Sequence, residues 1–147
     1  MVDHPTWMRV SDSLQAYADA IDRADIPGIL ALFTADAVWD YAPEGSHRGH
    51  EAIRGFFRER LEPFARTSHH VGPPVVRRDQ NGSLESTAYY IATHLLKDAT
   101  RYTVHGRYVD TFREEGSTLL ISWRRVVVHV TEGTKRAYNM LPRHDSP

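Results

Sequence analysis

The chain has no cysteine. That absence excludes disulfides, thiolate catalysis and cysteine-ligated metals. No apolar run approaches the roughly 20 residues that a membrane helix needs. Met1–Val10 shows no basic stretch followed by an apolar one, so no secretory signal is expected and the location is read as cytoplasmic. Neither charge dominates: 18 Lys and Arg stand against 19 Asp and Glu, for a net charge of −1. That balance gives no electrostatic reason to expect nucleic acid or an anionic membrane as a partner. Gly-x-Ser-x-Gly, P-loop and dinucleotide fingerprints are missing. So are His-x-His and His-Glu-x-x-His, which leaves no recognisable ligand spacing for a metal. The chemistry is therefore expected to need no cofactor.

What is present fits one soluble domain. The 147 residues are 41% hydrophobic and 25% charged, enough to bury a core and still enclose a cavity. No repeat or linker divides the chain. The domain is read as 1–147, with a core over about 10–130. The polar tail 131–147, containing Pro142 and Pro147, is expected to be partly disordered or to run along a neighbour. Nine histidines, seven tyrosines and three tryptophans are the compositional feature worth following by position.

Val10, Leu14, Tyr17, Ala18 and Ile21 recur on one helical face, with Ser11 or Thr6 as candidate caps. Asp25-Ile26-Pro27 reads as a break and the N-cap of a short second helix through Phe33. Val38–Tyr41 reads as a strand and Pro43-Glu44-Gly45 as a turn. Ile53, Phe56, Phe57, Leu61 and Phe64 stripe a third helix over about His50–Phe64, with Pro63 near its end. Four β-rich segments come after it, at about His69–Arg78, Leu84–Leu96, Tyr102–Phe112 and Thr118–Val130. Asn81-Gly82 marks the first hairpin turn. Lys97–Thr100 and Glu114–Gly116 mark the other two. Helices followed by a meander predict an α+β domain, a curved antiparallel sheet wrapped around N-terminal helices as a cone with a pocket.

Several phrases carry a resemblance when taken in order. They are Tyr17–Asp25, Leu32–Trp39, Arg48–Ile53, Thr67–Gly72 and Gly106–Thr111. Together they are similar to the SnoaL-like (nuclear transport factor 2-like) superfamily over about Val10–Val130. Within it the chain most resembles the His/Asp lyases, which include bile-acid 7α-dehydratase, hexachlorocyclohexane dehydrochlorinase and, more distantly, scytalone dehydratase. The resemblance implies a catalytic Asp22 preceded by Tyr17, a second tyrosine at Tyr41, a catalytic His70 and an arginine on the last long strand.

The residues can be weighed on their own chemistry. Asp22 alone reads as a helix-end carboxylate; the resemblance makes it catalytic. His69 and His70 point to opposite faces of a strand, so at most one enters the cavity, and His70 is the one the resemblance selects. Imidazole suits general-base work near neutral pH. A carboxylate on its second nitrogen would fix the tautomer and stabilise the imidazolium. Tyr17 and Tyr41 are candidate donors to a carbonyl or leaving group. Tyr17 lies about 140° around the helix from Asp22, so both share a pocket only if it wraps the helix. Arg125 shares a face with Ile121, Trp123 and Val127, and Arg124 with Val126 and Val128. The pattern does not choose between them, and the resemblance favours Arg125, to hold an enolate oxygen or a substrate carboxylate. Trp39, His94, His105 and Tyr108 are candidate pocket walls.

The leading expectation is a lyase, a dehydratase or related elimination, acting on a small, mostly apolar cyclic molecule. The same proton abstraction would serve an isomerase or a polyketide or steroid cyclase. A non-catalytic subunit of a ring-hydroxylating dioxygenase and a binding module are the other readings. Val126, Val127, Val128 and Val130 predict a sheet face covered by a neighbour in a homodimer or homotrimer.

Overall fold

The computed structural model describes residues 1–41 and 44–133. Helix α1 (His4–Asp22) starts earlier than its apolar periodicity. Asp3 caps it in place of Thr6 or Ser11: its carboxylate accepts from the Thr6 N–H at 2.9 Å. Pro5 occupies the first turn, where a missing N–H costs nothing. The indole N–H of Trp7 donates to the Pro74 carbonyl at 2.9 Å and ties this turn to the rest of the chain. The predicted face is the buried one: Val10, Leu14, Tyr17, Ala18 and Ile21 are all inside.

Asp25 caps α2 (Ile26–Leu30), accepting from the Gly28 N–H at 2.9 Å. Strand β1 (Phe33–Asp40) is longer than its apolar signature and is followed by β2 (Ser46–Arg48), α3 (Gly49–Leu61) and β3 (Phe64–Val71). Phe64 thus opens a strand instead of ending the helix. Gly72-Pro73-Pro74 splits the segment expected as one strand, because consecutive prolines offer no N–H to a ladder. Strand β4 (Val75–Arg78) lies beyond the split, and β5 (Leu84–Leu96), β6 (Arg101–Glu115) and β7 (Thr118–Glu132) complete the chain order. In the β4–β5 turn Gly82 takes a φ of 83° and the Asp79 carboxylate accepts from the Asn81 and Ser83 N–H groups.

The strands run in the order β2-β1-β7-β6-β5-β3, with β4 also on β5. One pairing departs from the antiparallel expectation: β1 runs parallel to β7. Helix α3 and five further strands intervene between them, which supplies the long crossover a parallel pair needs. The result is an α+β fold whose curved, unclosed sheet cups α1 and α3, with the core between them.

Register slips matter more here than strand count. Pairing of β3 with β5 shifts between Phe64 and Arg66. Pairing of β6 with β7 shifts between Thr111 and Phe112, and again between His105 and Gly106. At Gly106 the sheet leaves no room for a side chain: a Cβ would strike the Val127 carbonyl and stand 2.9 Å from the Tyr90 ring. Among the described residues no helix is long and apolar enough to cross a membrane. The expectation for the tail bears mostly on residues 134–147, outside the described residues, as does Pro43 of the expected turn.

Candidate functional site

Asp22 ends α1 where the helix meets β3. Its carboxylate accepts three hydrogen bonds from that strand: the Thr67 hydroxyl at 2.8 Å, the His69 backbone N–H at 2.8 Å and the His69 ring Nδ1 at 2.7 Å. Burial works against the ionised carboxylate, but the His69 and Thr67 hydrogen bonds outweigh it and hold the acid below its usual range. An ionised carboxylate only accepts, so Nδ1 of His69 carries the proton. In the neutral form of the ring Nε2 keeps its lone pair, and the side chain is 5% exposed and lines an aromatic pocket.

This corrects the expected partner. His70 points to the opposite face, is exposed and contacts the Ser68 hydroxyl at 3.3 Å. Phe64 lines the pocket, and strict alternation from it would carry residues 66, 68 and 70 inward. The slip between Phe64 and Arg66 reverses that parity, so Thr67 and His69 lie opposite the inward residues His94 and Ala92 of β5.

The structure also turns Arg124, and not the expected Arg125, toward the pocket side. Ile121 is inward, the β6–β7 register slips around Ser122, and from there Trp123 and Arg125 face out while Arg124 faces in. Arg125 pairs with Asp40 at 2.9 Å on the outer side. Arg124 is fully buried and held in a fork by Asp110 at 2.7 and 2.6 Å. Its guanidinium lies 4.3 Å from the Tyr17 ring centre and 4.4 Å from that of Tyr108. Burial opposes this charge, but Asp110 overrides the cost and holds Arg124 firmly protonated. Arg124 thus backs the pocket wall without lining it.

The pocket encloses about 480 Å³ of non-atom space, counted out to its mouth. Tyr17, Trp39, Tyr41, His94 and Tyr108 all line it; His105 does not, and sits partly exposed 3.7 Å from Glu132. Tyr17 and His69 share the pocket although Asp22 itself stays behind the imidazole, so the helix-angle objection does not arise. Trp39 packs edge-on against Phe57, and Tyr108 stacks on Tyr90 at 4.3 Å. Burial pushes the Tyr17 and Tyr108 phenols up, which keeps both as neutral hydrogen-bond donors. His94 stacks on Tyr102 at 4.5 Å and meets the His69 ring edge-on at 5.7 Å. Burial, with the charges of His69 and Arg60, pushes its pKa down to about 3, so it stays neutral.

Thr67 and Arg60 are polar lining residues that were not anticipated. Thr67 anchors Asp22, and its signal was the polar i, i+2 spacing with His69 on one strand face. Arg60 lies four residues after Phe56 on the apolar face of α3, a spacing that brings it to the same side. It donates to the Tyr41 hydroxyl at 3.1 Å and stands 3.7 Å from the Glu44 carboxylate. Among the described residues no cluster of three or more metal-binding side chains occurs.

Residues 8–125 match the SnoaL-like domain. The chain belongs to the SnoaL-like family. No curated protein matches it in sequence. Solved structures do. A provisionally named aromatic ring hydroxylase from Novosphingobium aromaticivorans superposes with a TM-score of 0.84 at 26% identity, over 91% of this chain and 96% of that one. A provisionally named scytalone dehydratase from the same organism gives 0.82 at 21%, over 92% and 93%. A type 2 hexachlorocyclohexane dehydrochlorinase, LinA, gives 0.80 at 11%, over 95% of each chain. The last two likenesses establish the SnoaL-like fold and no more.

Proposed function

We propose that the protein is a lyase, a dehydratase or related elimination enzyme, that uses His69 as its general base on a small, largely apolar cyclic substrate. The observation that carries this reading is the 2.7 Å contact between the Asp22 carboxylate and His69 Nδ1, on a ring that lines an aromatic pocket. Nε2 takes a proton from a carbon made acidic by a neighbouring carbonyl. The electron pair forms a double bond as hydroxide or halide leaves the adjacent carbon. A Tyr17 or Tyr41 hydroxyl donates to the departing group, and Asp22 stabilises the imidazolium. The same abstraction followed by reprotonation or ring closure gives the isomerase or cyclase variant. The test is release of water or halide from cyclic β-hydroxy or β-halo carbonyl compounds, together with solvent deuterium wash-in. His69→Gln should cut turnover about 10²- to 10⁴-fold; unchanged turnover refutes the mechanism.

The likeness to an aromatic ring hydroxylase at 26% identity favours a second reading, a non-catalytic subunit of such an enzyme. That role needs no Asp22–His69 pair. Co-purification of a large iron-binding partner, with no turnover by the chain alone, would establish it. Exposed Tyr89, Ile91 and Val130 on the sheet support self-association as a homodimer or homotrimer, which light scattering measures directly.

A further inference from the structure

Proton removal beside a carbonyl puts negative charge on the carbonyl oxygen, and that charge needs a donor. The arginine expected to hold an enolate oxygen, Arg125, pairs with Asp40 on the outer side, and Arg124 backs the wall without lining it. Among the described residues, two buried side-chain polar atoms on the pocket lining have no hydrogen-bond partner: the Trp39 indole Nε1 and His94 Nδ1. The His94 ring is also bonded to the Tyr102 backbone, and its Nδ1 donates or accepts according to the tautomer. The indole carries one N–H and can only donate. Trp39 is 2% exposed and packs against the rings of Phe56 and Phe57. Phenylalanine would suit such surroundings without burying a donor, and a buried indole N–H usually finds an acceptor. Left unpaired, it costs stability. The protonated Arg124 guanidinium stands 5.9 Å from the indole ring centre, so an oxygen gaining negative charge beside Trp39 meets a favourable field. Tyr17, on the same wall, feels that charge more than its Asp110 counterion.

We propose that the Trp39 indole N–H receives the carbonyl oxygen of the substrate and holds the enolate oxygen that forms from it, which makes the ligand a flat cyclic ketone. This rests on the pocket being the reaction site and on His69 as the base. One neutral donor matches one neutral carbonyl oxygen, whereas a carboxylate or phosphate calls for charge-assisted partners. His69 Nε2 takes the proton from the α-carbon. The C–H electron pair becomes the carbon–carbon double bond of the enolate, and the carbonyl π pair moves onto the oxygen. Trp39 keeps its proton throughout, and its hydrogen bond strengthens as charge builds on the oxygen, so the contact favours the transition state over the bound ketone.

The experiment uses the nitrogen-15-labelled full chain with 1-tetralone and with tetralin, the same ring system without the oxygen. The three tryptophans give three indole N–H signals. 1-Tetralone should move the Trp39 signal downfield and tetralin should not. Relative to tetralin, the wild type should favour the ketone about 2- to 10-fold more than Trp39→Phe does, the range of one neutral hydrogen bond. In deuterium oxide, exchange at the α-carbon of bound ketone should be about 10²-fold slower in Trp39→Phe, the effect of losing one oxyanion donor. His69→Gln should lose the exchange and keep the ketone-specific shift. Should Trp39→Phe fail to fold, Trp7→Phe and Trp123→Phe assign the Trp39 signal by elimination, and its response in the wild type decides. A Trp39 signal that answers both ligands alike, no binding of either, or wild-type ketone preference and exchange in Trp39→Phe overturns the inference. Full exchange in His69→Gln with the ketone-specific shift intact refutes the base instead and leaves the Trp39 contact standing.

Discussion

Acid should destabilise this protein through His94, well above the pH at which its carboxylates titrate. His94 is 9% exposed, and its Nδ1 is buried without a hydrogen-bond partner among the described residues. It packs between Phe64 and Tyr102. The charged groups that act on it are His69 on β3, Arg60 on α3 and Asp22 on α1; only Asp22 favours its protonation. Burial is the larger effect and the folded pKa falls from 6.5 to about 3. The unfolded chain therefore binds this proton between pH 6.5 and 3 while the folded chain does not, so stability is full above that window and falls as pH drops through it. Each pH unit costs up to about 1.4 kcal/mol, and the whole span about 4 to 5 kcal/mol, a large share of the stability of a domain this size. His129, shifted down by burial and Arg107, adds a smaller contribution of the same sign. Asp22, whose folded carboxyl lies below its usual value, loses its contribution only as pH falls below about 4. Urea unfolding followed by tryptophan fluorescence at pH 7.5, 6.5, 5.5 and 4.5 reads the slope. His94→Phe keeps the ring stack and should flatten most of it between pH 6.5 and 4.5. A wild type whose stability is level over that range, or a His94→Phe variant with the wild-type slope, refutes the reasoning.

The same contacts set other outcomes. Asp22→Asn should leave the fold intact, free the His69 tautomer and cut turnover on any accepted substrate about 10²- to 10⁴-fold, by the logic of a base that has lost its orienting carboxylate. Arg124→Met or Asp110→Leu alone should cost about 3–5 kcal/mol in urea unfolding, each leaving a buried charge unpaired, while the double variant should recover much of the loss. Gly106→Ala should cost about 1–3 kcal/mol, because the added methyl meets the Val127 carbonyl. Asp3→Ala should cost about 1 kcal/mol through loss of the α1 cap.

Much of the fold was legible because local chemistry and tertiary packing agree. The apolar face of α1, the Asp25 cap, the Asn81-Gly82 turn and the bounds of β5 each come from side-chain period or turn chemistry alone. The parallel β1–β7 pair was not legible, since nothing local in either strand records which way its neighbour runs. The start of α1 was missed because its first turn is set by a cap, while periodicity registers only residues that reach the core. In the site, Asp22, Tyr17, Tyr41, Trp39, His94 and Tyr108 were placed in or behind the pocket by order and type. His105 was not, because mid-strand position fixes neither face nor depth.

The two choices that the structure does not support, His70 over His69 and Arg125 over Arg124, came from the resemblance, and strand alternation could not have corrected either, because the ladder slips by a residue before each pair. Side-chain period in a strand is two, so a single slip exchanges every face beyond it. The first slip lies at Phe64, in the pocket wall. One turns Thr67 and His69 toward Asp22 at the end of α1; the other turns Arg124 onto Asp110, beneath Tyr17 and Tyr108. Without the first, the His69 ring would face solvent, and Asp22 would meet Ser68 and His70. Without the second, Arg125 would enter the wall in place of Arg124 and leave Asp40 behind. The slips are therefore the elements that assemble the site from residues already on neighbouring strands, consistent with bulges re-aiming side chains beside functional pockets. The signal in the sequence for the histidine that meets Asp22 was a pair and not a residue: Thr67 and His69 at i, i+2, both able to donate to one carboxylate.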